Sequence, residues 1–243
     1  MIAIFRKELN AFFSSLTGYI SITIFLVANG LFAWVFPDTN ILDDGFATLD
    51  SFFSFAPWIF MFLIPAITMR SFADEKNSGT IEFITTKPVT DLQIILGKYF
   101  AALILVVFSV IPTILYYFTI RSLASPAGNV DTGGIIGSYI GLFLLGATFA
   151  AISMFTSSIT QNQVIAFIAG MFACFFFYLA FDSLSLIPKF VGTVDKYFNA
   201  ISINRHYTNI SKGYIDLRDV VYFLSMISAF ILLTKTALGS RKW

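Results

Sequence analysis

Six hydrophobic runs, separated by short polar intervals, lay out this chain. Apolar residues dominate positions 17–36, 52–69, 94–120, 135–155, 164–181 and 220–238. Each run is long enough to cross a hydrocarbon core about 30 Å thick as a helix. The pattern predicts an all-α, polytopic membrane protein with six transmembrane helices in one domain over residues 1–243. Six crossings return both termini to the same side. Pro65 and Pro112 lie inside the second and third runs, where the missing backbone donor predicts a kink. The fourth run carries Gly137, Gly141, Gly146, Ala147, Ala150 and Ala151, small residues that let a neighbouring helix come close.

Ahead of the first run, Ile2, Phe5, Leu9, Phe12 and Leu16 recur at spacings of three and four, with Arg6, Lys7, Asn10 and Ser14 on other sides. This predicts an amphipathic interfacial helix over residues 1–16, in preference to a cytosolic start of the first span. The first run lacks a small-x-small cleavage pattern and reads as an uncleaved span.

The best-charged interval between two runs is 70–98. Ser71 with Asp74 has capping-box spacing, so a short helix is predicted to start there. Gly79 ends it, Thr80 is placed to cap a second turn with Glu82 near its positive end, and Pro88 stops that turn. Thr90 with Gln93 repeats the capping pattern before the third run. The expectation is a compact, charged helical element hung from two spans. A second irregular stretch, 182–219, is predicted to hold short helices: one after Pro188 with apolar spacing through Ile201, and one from Ile203 to Lys212 ending at Gly213. Two placements are open for them, at the mouth of a pathway between subunits or resting on the outer leaflet.

Composition agrees with this plan. The chain is 57% hydrophobic and only 12% charged, against about 25% charged residues in an average soluble domain. A net charge of +1 offers no electrostatic footprint for nucleic acid. The basic residues divide unevenly: Arg6, Lys7, Arg70, Lys76, Lys87, Lys98, Lys235, Arg241 and Lys242 fall on one side. Arg121, Lys189, Lys196, Arg205, Lys212 and Arg218 fall on the other, whose first loop holds Asp38, Asp43, Asp44 and Asp50. The positive-inside rule then places both termini and the 70–98 loop in the cytoplasm.

Catalytic signatures are missing. There is no Gly-x-x-x-x-Gly-Lys-Ser/Thr loop for nucleotide phosphates. The single cysteine, Cys174, sits in an apolar run and reads as packing. The only histidine, His206, has no second His or Cys nearby, so it is expected to be a surface residue of the outer loop and not a zinc ligand. The runs are almost free of the mid-membrane ionisable groups that ion-coupled transporters use. Neither a catalytic nor a metal site is expected, and no cofactor is expected to bind directly.

The segment Arg70-Ser-Phe-Ala-Asp74-Glu75-Lys76-Asn-Ser-Gly79-Thr80-Ile-Glu82-Phe-Ile-Thr-Thr-Lys-Pro88-Val, followed by Leu96-Gly97-Lys98, resembles the signature of ABC-2 type transporter permeases. Residues 207–223, with Lys212-Gly213 and Asp216 through Asp219, resemble that family's entry to its last span. Within the family the chain is most similar to gliding-motility-associated permease subunits of the GldF type. The resemblance implies an exporter subunit of the bacterial inner membrane that is not itself an enzyme. ATP would be bound and hydrolysed on a separate ATP-binding subunit (GldA-like), docked at Asp74, Glu75, Gly79, Thr80, Glu82 and Phe83. The other implied partner is a second membrane subunit (GldG-like) or a second copy of this chain. The alternative in a different class is an ATPase-coupled scaffold for secretion or motility machinery that passes no substrate itself.

Overall fold

In a computed structural model the described residues are all those outside 38, 43–44, 82–88, 127, 186–194, 215 and 241–243. They form helices α1 (Ile2–Phe13), α2 (Leu16–Trp34), α3 (Asp50–Thr68), α4 (Arg70–Asn77), α5 (Asp91–Val110), α6 (Ile114–Leu123), α7 (Thr132–Ile159), α8 (Gln163–Phe175), α9 (Phe181–Ser185), α10 (Asp195–Ile201), α11 (Ile203–Ser211) and α12 (Leu217–Gly239). A 3₁₀ turn at Ile111–Thr113 joins α5 to α6 and a π-helical turn at Phe176–Ala180 joins α8 to α9. Among the described residues, five continuous segments are long and apolar enough to cross a membrane, and α1 with α2, bent by 68°, makes a sixth if the pair counts as one. The six expected crossings are therefore matched by five, or by six if the bent pair is one span.

The Thr90 box forms as predicted: Gln93 N donates to the Thr90 hydroxyl at 3.3 Å, and Thr90 N donates back to Gln93 Oε1 at 3.2 Å. The predicted break at Pro112 is the 3₁₀ turn between α5 and α6. The expected cap at Ser71 does not form. α4 continues from α3 through Met69, which stays in the right-handed helical region, and Ser71 is buried.

At the centre stands α7, which packs against α3, α5, α8, α11 and α12. Its 28 residues span roughly 40 Å at 1.5 Å per residue, so its two ends mark the two ends of the bundle. Small residues put it there. A Cβ added at Gly146 would lie 2.8 Å from Val106 Cγ1 and 3.1 Å from Phe60 Cε2, both fully buried. Gly146→Val is therefore expected to destabilise the fold by about 1–3 kcal/mol through overpacking, measured by denaturant titration in detergent. Gly239→Ala, which meets nothing within 4 Å, is the control with no measurable change.

Beside the starting end of α7, α11 buries Ile203, Tyr207 and Ile210, and the Tyr207 hydroxyl donates to Phe53 O at 2.7 Å. It ends as predicted at Gly213, whose φ of +84° suits a residue without a Cβ. α11 is thus packed against α7 through that buried face. The predicted helix after Pro188 is present at its far end as α10; its start lies outside the described residues.

Several polar side chains inside the spans bond to carbonyls of their own helix, although the Asn29 Oδ1 is buried without a partner. Asn29 donates to Phe25 O at 2.8 Å, and Thr68, Ser109 and Thr148 each donate to the carbonyl one turn back. In hydrocarbon no water is present to take those bonds.

Candidate functional site

The opposite end of α7 meets α4. At the α3–α4 junction the regular helix ladder is interrupted, which leaves first-turn N–H groups of α4 without partners inside the helix. The Ser157 hydroxyl of α7 accepts from Phe72 N at 3.1 Å and Ala73 N at 3.2 Å, and donates to Met69 O at 2.9 Å. One hydroxyl thereby uses its single donor and both acceptor positions. It caps α4 from another helix, in the role expected of Ser71. Lys76, on the last turn of α4, donates to Ser158 O, at the end of α7 where unpaired carbonyls and the helix dipole favour a cation.

A second set of contacts ties α4 to α5 and α1. Lys98 Nζ, on α5 and 2% exposed, lies 2.7 Å from Glu8 Oε1, 3.0 Å from Glu75 Oε1 and 2.6 Å from Ser71 O. It also sits 5.2 Å from the centre of the Phe72 ring. Lys7 Nζ reaches the same Glu75 oxygen at 2.8 Å. Two lysines and two glutamates from α1, α4 and α5 thus neutralise one another, with Lys98 and Glu75 shielded from water and Lys7 facing it. An isolated buried charge there would cost several kcal/mol, of the order found for an unpaired buried ion. Burial pulls the Lys7 ammonium down, but its bond to Glu75 and the charges of Glu75, Glu8 and Asp74 outweigh this and hold it above the ordinary lysine value. A lysine raised in this way stays charged through the usual lysine range and loses its side of the tie only as pH climbs through the raised value.

A third tie reaches α8. Arg70 Nε donates to Gln163 Oε1 at 3.2 Å, and Gln163 Nε2 donates to Asp74 Oδ1 at 2.6 Å. α4 is therefore bound to α1, α5, α7 and α8 at once. Its remaining face, Asp74 with Asn77 to Thr80, is exposed. Gly79 turns the chain there at φ +68°, a conformation nearly closed to residues with a Cβ.

Of the six residues expected to dock a partner, Asp74, Gly79 and Thr80 share this exposed edge. Glu75 does not: its carboxylate turns inward to the lysines. Glu82 and Phe83 lie outside the described residues. Lys98, Glu8 and Ser157 were not singled out as site residues. Lys98 had a signal, because it is the one charge on the stripe Ile94, Ile95, Lys98, Ala101, Ala102 and Leu105, all buried. Ser157 had none, being a serine in a helix of small residues.

His206 also departs from expectation. Its side chain is 15% exposed, its Nδ1 lies 2.5 Å from Asp219 Oδ1, and its ring stacks on Tyr222. The 13-residue gap to Asp219 hid this pair, since only folding α11 back on α12 brings them together. Among the described residues there is no group of three metal-ligating side chains.

Residues 13–237 match the family model described as "ABC-2 family transporter protein". No curated protein matches the chain.

Proposed function

The chain belongs to the ABC-2 transporter family, and from that premise we propose that it is the exporter permease of a bacterial gliding-motility system, taking its power stroke at α4. Permeases of this family work with an ATP-binding subunit. Here that subunit is read as GldA-like, with ATP held entirely on it, and it grips the exposed edge formed by Asp74, Gly79 and Thr80; Glu82 and Phe83, outside the described residues, complete the proposed docking set. Glu75 serves the same element from within, as the residue that ties it to α1 and α5. The second membrane component is GldG-like or another copy of this chain. α8 and α12 carry most of their apolar length outside the bundle, as faces that meet lipid or another membrane subunit do. The excess of basic residues at the α4 end supports a cytoplasmic position for both termini, in the inner membrane.

The single observation that carries this reading is the way α4 is mounted. One face is exposed, while the other is fastened to four helices by Lys7, Lys98, Gln163 and, on α7, Ser157 with the Lys76 bond to Ser158. A push on such an element cannot be absorbed locally; it displaces α7 and α5, and access at the far end changes with them.

Gly79→Pro fixes φ near −65° where the chain needs +68°, and Glu82→Lys reverses a charge on the segment that follows. Both are expected to abolish co-purification of the ATP-binding subunit while leaving membrane insertion unchanged, measured by mild-detergent pull-down and mass spectrometry. Retention of the partner by both variants with full activity would refute docking at this element. Vectorial transport by the reconstituted complex separates an exporter from a scaffold, which would sustain ATP turnover without it.

A further inference from the structure

The last turn of α10 ends in carbonyls that its own helix cannot satisfy. Two side chains from elsewhere take them: His206 Nε2 lies 3.0 Å from Ala200 O, and the Tyr222 hydroxyl donates to Ile201 O. The other ring nitrogen of His206 lies against Asp219 Oδ1. Both nitrogens therefore face acceptors. A neutral imidazole has one N–H and one lone pair, so it satisfies only one of these contacts; the imidazolium satisfies both. Tyr222 lies flat under the ring, centroids 3.9 Å apart and planes at 19°, a placement that also suits a cation.

We propose that His206 is a proton-binding site that fastens α10 to α12, so that proton uptake tightens this contact and proton loss loosens it. In the charged form the ring bridges the Ala200 carbonyl and the Asp219 carboxylate. When one proton leaves, the remaining one stays toward the carboxylate, and a lone pair is left facing Ala200 O. The His206–Ala200 contact is then lost, while the α11–α12 contact and the Tyr222–Ile201 bond persist. The fastening is complete at acidic pH and weakens as pH rises through deprotonation of the ring. The groups that face the ring are Asp219 and Tyr222 of α12 and the carbonyl of α10. Asp182 of α9 is engaged by Asn204 at 3.1 Å. On the flanking segments, Lys196, Arg205 and Arg218 form no ion pair with Asp219 among the described residues. The inference rests on this cluster alone and is independent of the docking reading at α4.

Because His206 is the only histidine, selective ¹⁵N-histidine labelling of the intact protein in nanodiscs reports on it without further assignment. Two ring N–H protons are expected at about pH 5.5 and one at about pH 8.5, that one on Nδ1, within the range where histidine serves as a switch. Over the same interval, hydrogen-exchange protection of residues 195–201, corrected for intrinsic rates, is expected to fall by about tenfold or more. That is the scale of one hydrogen bond to a charged group. His206→Gln, which does not titrate and carries both its N–H donors on one nitrogen, is expected to show the low protection throughout. A ring with one proton at both pH values overturns the proposal, as does pH-independent protection in the unmodified protein. So does a pH response in His206→Gln equal to the original; if that variant does not insert, the labelled native ring decides alone.

Discussion

Lys98→Met is expected to lower stability by about 3–5 kcal/mol, the cost of removing one partner from a buried ion pair. The substitution keeps the apolar stem that lies along Phe72 but leaves the Glu8 and Glu75 carboxylates facing one another across the space Lys98 occupied, 2.7 and 3.0 Å from its Nζ. Lys7 remains beside Glu75, yet its side chain is 59% exposed, so water screens much of its charge. The measurement is a denaturant titration of the purified protein. The second arm is Lys98→Met with Glu75→Gln, which removes the uncompensated charge and is expected to recover at least about 1 kcal/mol. Additive losses in the double variant would show that the network is not a unit. Partner-stimulated ATP turnover is expected to fall with the single variant, because α4 loses its tie to α5.

Ser157→Ala is expected to cost about 2–4 kcal/mol, although it deletes one oxygen. That oxygen serves three backbone groups, Phe72 N–H, Ala73 N–H and Met69 C=O, and each buried group left without a partner costs about 1–3 kcal/mol. The junction recovers part of this by closing into a more regular helix. Ser158→Ala provides the contrast. Its hydroxyl donates only to Phe155 O within its own helix, and its loss is expected to stay below about 1 kcal/mol. Equal effects of the two alanines would mean that α4 is not held by Ser157. Were Ser157→Ala to leave stability intact but still uncouple ATP turnover, the cap would matter for transmission and not for folding.

The two experiments probe the same arrangement from opposite sides. Lys98 holds α4 by charge and Ser157 holds it by backbone hydrogen bonding, and neither residue reaches the exposed edge. Loss of coupling in both, with the ATP-binding subunit still bound, would separate transmission from docking. Gly79→Pro and Glu82→Lys are designed to show the reverse pattern.

What the linear order of residues determined by itself is everything governed by near neighbours and by solvent. Long apolar runs must be helices in a bilayer, because backbone groups there have no other partners; hence the crossings were legible. So were Thr90 with Gln93, the stop at Gly213 and the turn at Gly79, since each acts within four residues. The small residues of α7 announced a helix that others approach closely. Tertiary structure alone decided which of the polar residues meet. Ser157 is 85 residues from Phe72, Lys98 is 90 from Glu8, and His206 is 13 from Asp219 across a turn. No spacing rule joins such pairs. They form because a charge or an unpaired N–H taken out of water is costly until it meets a partner, wherever in the chain that partner lies. For that reason Ser71 yields the cap of α4 to Ser157, Glu75 turns inward to Lys98, and His206 is drawn off the surface to Asp219.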